Sequence, residues 1–210
     1  MNGCDSIIAL NINKINTFDY KNCESVLEIL IAGYYNYCKC NYFGDLKCPN
    51  CNKKGTLHSY KSYERNLSII KNNEKKNIII TILVLKCDHC SKDKNNQKYH
   101  ALLPSFVLPY HIHEASLIIE SIYLRVIKKQ KINEIIEKYQ ITHKLFYDWL
   151  IKMKKYLLPS SVVLQVNHKI NVIIEKIYLL KETFLMDFFD NYRHPFFLFK
   201  ITCVPLCVTP

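Results

Sequence analysis

Two short motifs carry the residues most able to do chemistry. Cys48 and Cys51 lie in "KCPNC" at 47–51, and Cys87 and Cys90 lie in "KCDHC" at 86–90, with 35 residues between the pairs. Two residues between cysteines let both thiolates of a pair point at one ion, while the backbone N–H groups of the turn hydrogen-bond the sulfurs. Two such pairs complete a tetrahedral shell, so Cys48, Cys51, Cys87 and Cys90 are the expected ligands of a structural Zn2+. A redox role would need only one pair, in a strand-helix setting. A catalytic zinc keeps an open coordination position, which four thiolates close. Neither His-Glu-x-x-His nor the His-x-Glu and Pro-Cys-x-x-Cys pattern of zinc deaminases occurs; "HIHEAS" at 111–116 lacks the second histidine. Cys38 and Cys40, in "CKC", are spaced less well for ligation and are read as core or incidental thiols.

The 35 residues between the pairs must bring the second knuckle back beside the first. "GTLHSYKSYERNLSII" and "NIIITILVLK" are rich in β-branched residues, Ser, Thr and Tyr, and flank the polar "KNNEKKN". They predict a long antiparallel hairpin, which with the cysteines makes a zinc ribbon. Before it, "NCESVLEILIAGYYNY" at 22–37 spaces Val26, Leu27, Leu30, Ile31 and Tyr34 as one stripe of a helix. After it come a solvated loop, "SKDKNNQK" at 91–98, and the proline-punctuated "YHALLPSFVLPYH". From Ala115 to about Phe189 the period is helical, and the closing "HPFFLFKITCVPLCVTP" reads as an apolar tail on those helices. The expected class is α+β, in four segments: an N-terminal helical segment (1–44), a zinc-ribbon domain (45–110), a helix-turn-helix domain (111–158) and a C-terminal helix with tail (159–210).

The second constellation is "KINEIIEKYQITHKLFYDWLIKMKK" at 131–155. Ile132, Ile135, Ile136 and Tyr139 share one face of a short helix. After a break at Gln140 and Ile141, Thr142 is placed to cap a second helix, with Ile141 and Phe146 set for a hydrophobic staple. Leu145, Phe146, Trp149, Leu150 and Met153 take one half of that helix, and His143, Lys144, Tyr147, Asp148, Ile151, Lys152, Lys154 and Lys155 take the other. A helix pair whose second member is amphipathic with a basic outer face matches a helix-turn-helix, supported here by "ASLIIESIYLRVIKK" at 115–129. Its alternative is an ordinary helical hairpin with a solvated lysine face. As a reader of double-stranded DNA, it would turn His143, Lys144, Tyr147 and Asp148 to the bases and Lys152, Lys154 and Lys155 to phosphates.

Charge points the same way. Across 210 residues Lys and Arg number 29 against 18 Asp and Glu, a formal net charge of +11, which suits a polyanionic partner. The N-terminus lacks the pattern of a secretory signal, and the apolar runs "VLEILIAGYY" and "NIIITILVL" fall short of the roughly 18 residues a membrane span requires. The expected setting is therefore soluble and cytoplasmic, where ten cysteines would be thiols or metal ligands rather than disulfides.

Taken in order, "CPNC", the hairpin, "KCDHC", "HALLPSFVLPY" and "INEIIEKYQITHKLFYDWL" resemble an uncharacterised bacterial family of zinc-ribbon, helix-turn-helix proteins related to insertion-element transposases. The resemblance covers roughly residues 45–155. It implies a DNA-recognition protein of a mobile element, acting alone or beside a transposase or other protein partner. Here "SKDKNNQK" lengthens the link after the second cysteine pair, which leaves the place of His100 open. Strand transfer itself needs three carboxylates around two metal ions on a sheet. No buried parallel strands are expected ahead of Asp187 and Asp190, whose setting in "MDFFDNYRH" reads as solvent-facing, and nothing singles out a nucleophile. The expectation is a non-enzyme; its rival is a zinc-stabilised adaptor that binds a protein partner through its C-terminal helices.

Overall fold

The computed structural model describes residues 6–10, 26–71, 74–91, 98–108, 110–192 and 196–197. Its elements run β1 (Ser6–Leu10), α1 (Val26–Cys40), β2 (Leu57–Lys71), β3 (Glu74–Cys87), β4 (Tyr99–Pro104), α2 (Ala115–Val126), α3 (Ile132–Tyr139), α4 (His143–Leu164) and α5 (Ile170–Tyr192). The class is α+β. The chain divides into two compact units, residues 1–65 with 80–105 and residues 66–79 with 106–210. No described helix is long and apolar enough to cross a membrane.

The first unit holds most of a four-stranded sheet in the order β1-β4-β3-β2. β2 and β3 are the expected hairpin, slightly longer than the sequence pattern suggested. The two outer members on the other side were not anticipated. β4 runs antiparallel to β3, with Leu83 opposite Leu102 and Leu85 opposite His100, and β1 runs parallel to β4, with Ile8 opposite Leu102. The expectation of no buried parallel strand is thereby corrected. His100 through Pro104 are all buried, so β4 shows no alternation of inward and outward residues. A continuous apolar run of this kind carries no period that distinguishes a strand. Asp187 and Asp190 are exposed on α5, matching their solvent-facing reading.

α1 begins at Val26, the first residue of its apolar stripe, runs on to Cys40, and is fastened to this sheet through Tyr34. The fully buried Tyr34 hydroxyl donates to the Leu102 carbonyl at 2.9 Å and accepts from the Leu83 N–H at 2.9 Å, bridging β3 and β4 at a registered pair. Burial holds the phenol well above its usual pKa, so it stays a neutral donor. Tyr35 adds a second anchor, its hydroxyl accepting from Thr81 N–H at 3.1 Å.

The second unit is built on the helices. Gln140 ends α3 in the left-handed region at φ 48°, and Thr142 caps α4 by accepting from Leu145 N–H at 3.2 Å, as its position implied. Tyr139 donates to Glu120 at 2.7 Å, tying α3 to α2, and Tyr123 stacks on Tyr178 at 3.9 Å, tying α2 to α5. Trp149, Phe146, Tyr156, Phe184 and Phe188 are fully buried. From the predicted tail, Phe196 and Phe197 pack on Tyr156 at 5.0 and 5.7 Å; residues 198–210 lie outside the described residues, as do 92–97 of the predicted loop. α4 runs on through Pro159 to Leu164. α5 contains a break at Lys181, where φ is 30°.

The 66–79 segment is stitched to the start of α2: Glu114 N–H donates to the Ser68 carbonyl at 2.9 Å, and Ser68 N–H donates to the Ile112 carbonyl. Between these bonds His113 is buried, edge-on to Trp149 at 5.1 Å. Burial, with a contribution from Lys75, lowers its pKa to about 4.

Two outcomes follow. Tyr34→Phe strands one backbone N–H and one carbonyl in the core at roughly 1–3 kcal/mol each, so urea unfolding should show about 2–6 kcal/mol lost. His113 is neutral when folded and takes a proton more readily when unfolded. Its contribution is complete above about pH 6.5 and is lost as pH falls toward about 4. Unfolding followed by the single tryptophan should weaken by roughly 1–3 kcal/mol across that window, and His113→Phe should flatten the slope.

Candidate metal centre

The two cysteine pairs fold into matching turns. Asn52 N–H donates to the Cys48 carbonyl at 2.8 Å, and Ser91 N–H donates to the Cys87 carbonyl at 2.9 Å, so each knuckle closes by the same four-residue bond. Asn52 adopts φ 58° and Gly55 φ 68°, which lets the first knuckle reverse and join β2. Lys47 and Lys54 bridge across its base. The knuckles are tied directly, Asp88 N–H donating to the Thr56 carbonyl at 2.9 Å.

This places the Sγ atoms of Cys48, Cys51, Cys87 and Cys90 all within 4.8 Å of one another. Cys48 and Cys90 sulfurs are 3.7 Å apart, and so are those of Cys51 and Cys87. A tetrahedron with metal–sulfur bonds of about 2.3 Å has edges of about 3.8 Å, whereas a disulfide bond is about 2.05 Å long. The spacing therefore fits a metal shell, and all four cysteines are free. The donor set is soft and closed, which suits structural zinc. Cys38 and Cys40 are not part of the cluster; Cys38, high in pKa through burial, bonds instead with Tyr34.

The four sulfurs are not equivalent. Cys48 and Cys87 are fully buried, Cys51 and Cys90 partly so. Burial raises the Cys87 thiol, but the Thr56 hydroxyl at 3.3 Å, the Cys90 N–H and neighbouring thiols outweigh it and bring its pKa down to about 7. Burial raises Cys48 despite backbone N–H groups of Cys51 and Asn50, and burial with the adjoining thiols raises Cys90. A bound cation reverses the last two effects, because a coordinated thiol is deprotonated. Outside the shell, Lys53 Nζ lies 2.7 Å from His89 Nε2, and His58 pairs with Asp88 at 2.9 Å.

His100 and Thr56 were not singled out as site residues by spacing. His100 Nε2 is 3.4 Å from Cys48 Sγ, in the interior of the sheet. The signal for it lay in β4: a strand returning beside β3 just after the second pair must carry its early residues past the knuckles.

The predicted DNA-facing residues all lie on α4. His143, Lys144, Tyr147, Asp148, Ile151, Lys154 and Lys155 are exposed. His143 Nε2 is 3.0 Å from Asn133 Oδ1 of α3. Lys152 is half-buried, its Nζ 3.1 Å from His111 Nε2, and burial lowers its pKa.

Fold and centre together define an α+β protein with a four-cysteine cluster able to hold a metal ion. Residues 48–143 match the family described as a domain of unknown function, DUF6431. That stretch opens on Cys48, contains all four cysteines, β2 to β4, α2 and α3, and stops at the first residue of α4. No curated protein and no solved structure matches the chain.

The purified protein should carry one zinc per chain by native mass spectrometry. Cys87→Ser should abolish it and lower the thermal midpoint sharply, since structural zinc contributes about 10–16 kcal/mol to folding in zinc-finger peptides.

Proposed function

We propose that the chain is a zinc-stabilised, DNA-binding recognition protein without a catalytic site of its own. In this reading the cysteine cluster and β2–β3 hairpin form a structural zinc ribbon, and α3 and α4 form a helix-turn-helix supported by α2. The association with a mobile element rests on the sequence resemblance to transposase-related proteins.

The observation that carries the reading is the start of α4. Three residues, Gln140 to Thr142, separate α3 from a capped helix. That helix buries Phe146, Trp149 and Met153, while His143, Lys144, Tyr147 and Asp148 stand exposed on its first two turns. Those turns are where a recognition helix meets base edges, and Lys154 and Lys155 continue the exposed surface as phosphate contacts. The net charge of +11 supplies the general attraction to a polyanion.

A second reading, a protein adaptor, is favoured by one observation. A groove of about 430 Å³ opens among α2, α4 and α5, floored by Val126, Leu150 and Leu157 and edged by the exposed Ile151 and Ile170. Apolar side chains exposed beside a groove suit a partner helix.

Fluorescence anisotropy with metal-loaded protein separates the two. A DNA reader should lose affinity with salt at about 0.9 log unit per log unit of salt for each phosphate contacted. Lys144→Glu should weaken duplex binding about tenfold or more and leave the circular dichroism unchanged. Failure to bind duplex even at low salt rejects DNA recognition in favour of the adaptor.

A further inference from the structure

A closed shell of four thiolates around a divalent cation carries two net negative charges. Where its sulfurs are buried, that charge is tolerated only if N–H or O–H groups point at them. The partly exposed Cys51 and Cys90 can use water. Cys48 and Cys87 are fully buried, and each has one side-chain hydrogen-bonding group against its sulfur: Thr56 Oγ1 at 3.3 Å from Cys87, and His100 Nε2 at 3.4 Å from Cys48. The two lie on opposite sides of the second cysteine pair in sequence, Thr56 just before β2 and His100 within β4.

We propose that His100 is a positioning residue of the metal centre, donating its Nε2–H to the Cys48 thiolate without itself entering the shell. A metal-bound thiolate has no proton to give, so a hydrogen bond across this contact requires the imidazole tautomer that carries hydrogen on Nε2. The strand holds the ring where it must be. His100 is opposite Leu85 on β3 and opposite Ser6 on β1, in the interior of the sheet and fully buried. Backbone pairing on both sides keeps β4 from sliding, so the imidazole meets Cys48 at a fixed register, two residues from the end of β3 at Cys87. This gives β4 a part in the centre beyond sheet closure, as it adds a side-chain donor to the backbone N–H groups of Asn50 and Cys51 that already reach the buried sulfur of the first knuckle.

The inference rests on the metal reading, and the two fail separately. If the wild-type chain binds no zinc, the metal reading itself falls. If it binds zinc, release to a chromogenic chelator tests His100. His100→Leu should speed release about 10- to 100-fold, while His100→Gln, which keeps an amide donor, should stay within a few-fold of wild type. Release from His100→Leu at the wild-type rate overturns the proposal, as does equal acceleration in both variants, which would mark a packing role. Should the leucine variant not fold, the wild-type chain loaded with 113Cd decides. A scalar coupling between 113Cd and the His100 Nε2 proton across the sulfur supports the hydrogen bond. Its absence, or a direct one-bond coupling from cadmium to the ring nitrogen, rejects it.

Discussion

Charge compensation at four crowded sulfurs is the constraint on which the first unit depends. Ionised thiolates within 4.8 Å of one another repel, and two of the four are fully buried. A divalent cation removes most of that repulsion, and donors remove part of what remains. Burial and neighbouring thiols push the Cys90 thiol up, while the Thr56 hydroxyl and the Cys90 N–H help bring Cys87 down to about 7. The local backbone holds the four sulfurs at this spacing. Both knuckles close with the same turn bond, Thr56 bridges them through its carbonyl while its hydroxyl reaches Cys87, and Asn52 and Gly55 take the left-handed conformations that let the first knuckle turn. The ends of β2 and β3 are thus joined through side chains as well as through the sheet.

The second unit has a different source of stability. It carries no cluster of potential metal ligands among the described residues, and relies on aromatic packing instead. Tyr156, Phe184, Phe188, Phe196 and Phe197 meet at ring separations of 4.6 to 5.8 Å, the range in which edge and offset contacts add to burial. Its interior also holds polar groups, among them His111, His113, Glu114 and Ser121. His113 is kept neutral, and Lys152 is turned toward His111 instead of standing out beside Lys154 and Lys155. A helix that presents a basic face is therefore less basic in its middle than its sequence implies. The wheel that grouped eight outer residues could not see this, because it knows the angle of Lys152 on the helix but not that His111 lies against it.

The same limit explains what was and was not legible. Local signals were read well. The two Cys-x-x-Cys pairs, the hairpin between them, the bounds of α3 and the Thr142 cap depend on neighbours within a few residues. What depended on distant partners was missed. β1 spans only five residues, β4 is a short buried run without alternation, and Pro104 made β4 look like a connection when it marks the strand's end. His100 became meaningful only once β4 was paired with β3, since nothing in its local sequence points to Cys48. Gln140 is a related case. A left-handed residue between α3 and α4 would ordinarily be glycine, and its use here hid the turn's geometry although the cap beyond it was plain.

The four-cysteine cluster and the exposed face of α4 are built from separate sets of residues. Four thiolates fill a tetrahedral shell, leaving no position at which water or substrate could be activated, so a cation held there stabilises and does not react. On α4 the exposed His143, Lys144, Tyr147 and Asp148 lie outside the core, in contrast to the buried Phe146 and Trp149 between them, and His143 reaches Asn133 of α3. The match to DUF6431 stops at His143, so it takes in the metal centre and the helix that positions α4 but not α4's outer face.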